Sequence, residues 1–175
     1  MTGGDHSIPE VHRLLAVLAA GRRCGEIGTA YGGGAEAMAS TARSLVTVEV
    51  DPERAAAARE KLAARPHVEV LAGDWREQLA PRGPFELVFV DGGGRETKTD
   101  ASILELVVPG GLLVMDDLTP GRPGPDPVRE LWSSHPGAVA SLIWAGVLKV
   151  LPGRVRAVDP RVVHRLAVRP NTRNT

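Results

Sequence analysis

The residues that could do chemistry are acids placed where apolar runs give way to loops. Glu26, Glu49, Asp74, Asp91, Asp116 and Asp117 all stand at such positions. The first run ends in EIGTAYGGG, and a helical stretch follows. Glycines there permit positive φ and let a ligand meet the backbone without a Cβ in the way, while a helix start offers unpaired N–H groups to an anion. Taken alone, the loop is equally a tight strand-to-helix turn. Its partner is Glu49 in VEVDP, 21 residues beyond Gly28. A carboxylate at that spacing, on the tip of the next strand, accepts the hydroxyl protons of an adenosine ribose. The pair therefore points to a nucleoside-containing ligand. A dinucleotide fingerprint is excluded, because Ala30 occupies its second glycine position, and no GK[ST] makes a phosphate loop. Asp91, Asp116 and Asp117 close two later runs, and neighbouring parallel strand ends lie about 5 Å apart. Three carboxylates that near one another repel unless a cation sits between them, and oxygen donors suit Mg2+ or another hard divalent ion.

The elements that must position these residues follow from hydrophobic spacing. Ile8, Val11, Leu14, Leu15 and Leu18 recur at three- and four-residue intervals with Pro9 in the first turn and Gly21 beyond the end, which predicts an N-terminal helix over residues 8–20 within a segment 1–21. Short β-branched and aliphatic runs at 24–28, 45–50, 67–71, 85–91 and 111–116 alternate with Ala-, Glu- or Leu-rich stretches at 35–43, 52–64 and 96–106. This alternation predicts an α/β, Rossmann-like, doubly wound sheet, mostly parallel, because parallel neighbours need crossover helices. Continuous apolar runs such as LVFV and LLVM suit strands covered on both faces. Beyond the loop TPGRPGPDP, a short helix at 128–134 and late strands within 138–150 and 162–168 are expected, the strands as an antiparallel addition at the C-terminal sheet edge. One domain spanning 1–175 is the expected organisation.

In this order and spacing, EIGTAYGGG, VEVDP, LAGDW, FELVFVD and VPGGLLVMDD resemble the class I S-adenosylmethionine-dependent methyltransferases over about residues 22–118. Within the class they look most like the small-molecule O-methyltransferases of the catechol and caffeoyl-CoA type. The resemblance implies S-adenosylmethionine as cofactor, with Glu26, Gly28 and Gly32 shaping the methionine pocket, Glu49 holding the ribose, and Asp74 with Trp75 flanking the adenine. Trp75 reads equally as a packing residue. Thr29 and Tyr31 share the glycine loop, where Tyr31 either meets the cofactor or packs on the helix at 35–43. An acidic rim suits a ligand bearing a sulfonium and an ammonium. Asp91 is expected near the transferred methyl group. In the resembling branch a divalent ion on residues matching Asp91, Asp116 and Asp117 lowers the pKa of an acceptor hydroxyl. The sequence departs from that branch at several points. Asp117 stands where an asparagine is usual, Gly93 where a second acid is common, Gly94 where the catechol enzymes have a lysine, and Gly34 where a serine often meets the cofactor carboxylate. Lys98 is the nearby candidate base.

Composition bounds the remaining options. The formal net charge is zero, yet Lys149, Arg154, Arg156, Arg161, Arg165, Arg169 and Arg173 face only Asp159 in the segment 149–175, so the body is acidic and this end basic. Aromatic residues make up 3 %, too few for a base-stacking platform. Cys24, the single cysteine, excludes an intrachain disulfide, and the five histidines show no ligand spacing. No apolar run is long enough for a membrane span, and a cytoplasmic protein is expected. A small-molecule acceptor is the expected partner, with a homodimer as one way to close the acceptor pocket. The alternatives are a non-catalytic nucleoside-binding module or partner subunit, an aminopropyltransferase-like enzyme, and a nucleic-acid methyltransferase, the last suggested only by the basic end and opposed by VDGGG where a base-methylating tetrad would stand.

Overall fold

The computed structural model describes residues 7–116, 124–144, 150–151, 154–155 and 163–168, with side chains described for 7–116 and 124–140. Five parallel strands run β1 (Arg23–Ile27), β2 (Ser44–Glu49), β3 (Val68–Ala72), β4 (Phe85–Val90) and β5 (Val107–Met115), and lie in the order β3-β2-β1-β4-β5. Helices α1 (Pro9–Ala19), α2 (Gly33–Ala39), α3 (Pro52–Leu62), α4 (Trp75–Gln78) and α5 (Gly94–Lys98) alternate with them. Further along come α6 (Pro127–Ser134) and β6 (Val139–Trp144). The backbone of residues 163–168 runs antiparallel between β5 and β6. Chain direction reverses from leftward to rightward winding between β1 and β4, and a crevice opens at the carboxyl ends of strands at such a switch point.

Both faces of the sheet are apolar, and the period of two along β4 shows how. Leu87 and Phe89 pack with Val11, Leu15, Met38 and Leu62, while Val88 and Val90 pack with Trp75, Leu79, Met115 and Trp132. Phe85 joins the second group despite its parity with Leu87, because the register to β5 shifts between Phe85 and Leu87. On α1, Val11, Leu15 and Ala19 form the buried stripe at four-residue spacing. The Asp51 carboxylate caps α3 by accepting the Glu53 and Arg54 N–H groups at 2.9 and 3.3 Å, with Pro52 next in line. This cap turns the chain sharply after β2 and so fixes where Glu49 ends.

The helix expected over 96–106 is instead two pieces. α5 ends at Lys98, and a 3-10 turn begins at Ala101. Between them the Asp100 carboxylate accepts the Ser102 N–H at 3.0 Å, an N-cap that restarts the chain in a new direction. β5 begins four residues before the expected 111, taking in Pro109 and Gly110. Asp117 and the basic side chains of 149–175 lie outside the residues whose side chains are described. Among the described residues, no helix is long and apolar enough to cross a membrane.

Cys24 is fully buried, and burial pushes its thiol up to about 12. The thiolate is the reactive form. Iodoacetamide at pH 8 should leave Cys24 unmodified in the native protein and label it fully in denaturant, read by intact mass. Rapid native labelling would contradict the burial of this face.

Candidate functional site

A cavity of about 440 Å³ opens at the switch point, at the carboxyl ends of β1, β2 and β4. Its floor is set by glycine. Gly28 has φ +92°, and a Cβ on Gly92 would lie 2.6 Å from the Gly28 Cα, so the ends of β1 and β4 touch backbone to backbone. The Asp91 and Gly92 N–H groups both donate to the Ile27 carbonyl, at 3.0 and 2.9 Å. No side chain fits between these strand tips, and the space above them is left for a ligand.

The Glu49 carboxylate stands on the wall beside this floor, largely buried. One oxygen, Oε2, accepts the Ala30 N–H of the glycine loop at 2.8 Å, and the other, Oε1, accepts the Asp51 N–H at 3.0 Å. Ala30 holds a positive φ of 45° in this arrangement. Each carboxylate oxygen keeps a further lone pair, so the group is fixed in orientation and still able to accept two hydroxyl protons.

Glu26 is of a different kind. It is 1 % exposed, lies beneath the cavity rather than in its wall, and accepts the Thr47 hydroxyl on Oε2 at 2.5 Å. Thr47 in turn shares a 2.5 Å contact with the Thr29 hydroxyl. Burial pushes the Glu26 carboxyl up to about 8; the Thr47 hydrogen bond opposes this, and the nearby charges of Asp91 and Glu49 add to it. Its other oxygen, Oε1, lies under the first turn of α2, 2.6 Å from where a Cβ on Gly34 would sit. That contact explains why glycine, and no serine, stands at 34.

On the far wall, Asp74 caps α4 by accepting the Arg76 N–H at 2.7 Å. Trp75 is buried in the core and also lines the cavity, with the Arg76 guanidinium 4.5 Å from its ring centroid. Its indole N–H is buried and has no acceptor among the described residues. Packing and cavity lining are thus both true of Trp75.

Asp91 and Asp116 close β4 and β5 and converge on one hydroxyl. Ser7 Oγ donates to Asp116 Oδ2 at 2.7 Å and lies 3.4 Å from Asp91 Oδ2. The Asp116 backbone is braced from behind: its N–H donates to the Val90 carbonyl at 3.2 Å, and its carbonyl accepts the buried Lys98 Nζ at 2.8 Å. The Lys98 carbonyl accepts the Trp132 indole N–H at 2.8 Å, which ties this strut to α6. Among the described residues, no group of three or more His, Cys, Asp or Glu side chains gathers as a metal site.

A family model described as a methyltransferase domain matches residues 26–118. The chain belongs to this methyltransferase family. The match runs from Glu26 to just past Asp116 and so holds every sequence-derived candidate of the site. Among solved structures, the methyltransferase is similar to a cofactor-bound protein from MTB, Rv0187, with 26 % identity and a TM-score of 0.78 over 96 % of this chain and 83 % of that one. The fold is also shared with the O-methyltransferase TomG of tomaymycin synthesis from Streptomyces achromogenes, solved with SAM (23 % identity, TM-score 0.74, 94 % and 82 % coverage). A Bacillus cereus O-methyltransferase solved with SAH is alike at 21 % identity and TM-score 0.75, with 95 % and 84 % coverage. No functionally curated protein matches the sequence.

Of the candidates read from sequence, Gly28, Glu49, Asp74, Trp75, Asp91 and Asp116 line the methyltransferase's cavity. Glu26 and Thr29 form the hydrogen-bonded layer below it. Tyr31 and Gly32 are outside the lining. Tyr31 is half exposed under the Arg54 guanidinium at 5.6 Å, and Gly32 makes the αL turn into α2 against Lys61, Ala58 and Leu62. Lys98 is outside the lining too, with Nζ engaged on the Asp116 carbonyl. The sequence reading missed Ser7, Arg54, Thr97 and the exposed Val50, all of which line the cavity. Val50 and Arg54 follow Glu49 closely enough to have been found from its position; Ser7 carried no such signal, since 109 residues separate it from its partner.

Two measurements test this layered arrangement. The native state holds a proton on Glu26 up to about pH 8, whereas the unfolded chain releases it near 4.5. The native state thus binds more protons between these values, and the residue's contribution to stability falls as pH rises through that window. Urea midpoints of the ligand-free protein should decline from pH 5 to pH 8, and Glu26→Gln should flatten most of that slope; an unchanged slope would contradict a protonated Glu26. Separately, Gly34→Ser should cost about 1–3 kcal/mol in urea unfolding by overpacking against Glu26 and Phe89, and a neutral result would contradict the contact.

Proposed function

We propose that the cavity binds S-adenosylmethionine and that the protein transfers its methyl group to an oxygen of a small-molecule acceptor. The observation that carries this reading is the Glu49 carboxylate, oriented by the Ala30 and Asp51 N–H groups at the mouth of a glycine-floored crevice. The residues fit the cofactor's chemistry. Glu49 offers the remaining lone pairs of both oxygens to the ribose hydroxyls. Trp75 lines the opposite wall beside Asp74 and offers an apolar indole surface there. The positive φ of Gly28 and the facing Gly92 leave backbone approachable between them. A volume of about 440 Å³ is in the range of ligand pockets. Four carboxylates in the lining, Glu49, Asp74, Asp91 and Asp116, favour a ligand that carries positive charge.

When bound, the cofactor supplies an electrophilic methyl group on a sulfonium. The chain's own part is to position and to manage a proton. Asp91 and Asp116 present carboxylate oxygens toward the same point at the β4–β5 end, where an acceptor hydroxyl would find its proton acceptor. Lys98 serves there as a positioning residue, since its ammonium holds the Asp116 carbonyl. Asp91 and Asp116 together would hold a divalent ion through hard oxygen donors, and such an ion would acidify the acceptor hydroxyl. The SAM-bound O-methyltransferase TomG, sharing this fold, supports the cofactor and the oxygen acceptor.

Isothermal titration with S-adenosylhomocysteine tests the reading. Binding is expected, and Glu49→Ala should weaken it about 10- to 100-fold, the loss of one charge-assisted hydrogen bond or two. No binding to the wild type at high protein concentration would end the proposal. Excess chelator should abolish turnover and spare S-adenosylhomocysteine affinity if the ion takes part; turnover that survives chelation would remove the ion and leave the cofactor.

A further inference from the structure

Ser7 sits just before α1, where a serine would ordinarily cap the helix. It does not do so. The N-cap position is Ile8, with no side-chain cap hydrogen bond, and the Ser7 hydroxyl turns away into the cavity. There it donates to Asp116 Oδ2 at 2.7 Å with Asp91 Oδ2 3.4 Å away. A hydroxyl with its proton directed at a carboxylate has the hydrogen bonding that a methyl acceptor needs before attack. The Asp116 backbone is held independently of Ser7, by the Val90 carbonyl on the Asp116 N–H and by Lys98 on the Asp116 carbonyl. Ser7 is held by the neighbouring Ile8, which packs on the core shared by α1 and α2.

We infer that Ser7 occupies the acceptor's seat in the ligand-free protein, so that an incoming hydroxyl competes with the Ser7 hydroxyl for Asp116 Oδ2. This rests on the reading of the β4–β5 end as the acceptor side. In the exchange the Asp116···H–O(Ser7) hydrogen bond breaks and an Asp116···H–O(acceptor) hydrogen bond forms, with no proton lost or gained. A tethered competitor acts at an effective concentration of order millimolar. Weakly bound acceptors therefore feel it most.

The test compares wild type, Ser7→Ala and Ser7→Thr, with thermal melts confirming that each is folded. S-adenosylhomocysteine titration is run first on all three and reports on the cofactor reading alone. Turnover is then followed as S-adenosylhomocysteine release from S-adenosylmethionine with catechol, simple phenols and aliphatic hydroxy acids. Removing the hydroxyl in Ser7→Ala should lower the acceptor KM about three- to tenfold and raise kcat/KM, whereas Ser7→Thr, which keeps the hydroxyl, should retain the wild-type KM. A fall in kcat/KM for Ser7→Ala would overturn the proposal, because Ser7 would then be aiding Asp116 rather than filling its seat. Equal KM in Ser7→Ala and wild type overturns it as well. So does S-adenosylhomocysteine binding without turnover of any hydroxyl compound by any of the three proteins. Failure of S-adenosylhomocysteine to bind the wild type overturns the cofactor reading instead.

Discussion

The contact on which the rest depends is the meeting of Gly28 with Gly92. The ends of β1 and β4 approach so closely that a methyl group on either glycine would collide with the other's backbone. This is also where the winding of the sheet reverses, so the helices on the two sides diverge above it. The crevice is therefore a consequence of topology, and its depth is a consequence of two missing side chains. A bulkier pair would push β1 from β4 and break the register that joins Cys24 to Leu87 and Ile27 to Val90.

Around that point, carboxylates of similar type are given different tasks by their surroundings. Glu26 is buried and raised toward neutrality, and it behaves as a packing and hydrogen-bonding group that ties β1 to β2 through Thr47. Glu49, on the adjacent strand β2, lines the cavity and is tied to two N–H groups. Asp116 is braced by Lys98 through its carbonyl, while its carboxylate accepts the Ser7 hydroxyl at the cavity wall. Keeping Glu26 protonated limits the like charge that would otherwise crowd the crevice before a cationic ligand arrives.

Much of this was legible in the sequence for local reasons. The central strands β4 and β5 announced themselves through the continuous apolar runs LVFV and LLVM, and Glu49 as an acid at a set distance from a glycine loop. Asp74 and Asp91 could be placed because each directly ends a strand run or starts the following turn. The depth ordering was not legible. Whether an acid at a strand tip faces down, like Glu26, or outward, like Glu49, depends on its neighbour across the sheet: Thr47 lies opposite Glu26 in the β1–β2 register. The split of the 96–106 helix turned on one capping side chain, Asp100, in a stretch whose composition suits an unbroken helix. Ser7 was invisible because 109 residues separate it from its partner Asp116.

The central claim is that a strand-tip carboxylate, held by the glycine loop, orients an adenosyl ligand over the Gly28–Gly92 floor. A crystal structure of the S-adenosylhomocysteine complex addresses it most directly. The account predicts both ribose hydroxyls at about 3 Å from the Glu49 carboxylate oxygens, with the Ala30 N–H bond kept, the adenine between Val50 and Trp75, and Glu26 out of contact with the ribose. A ribose bonded elsewhere, or a Glu49 carboxylate swung off the glycine loop to make room, would contradict it.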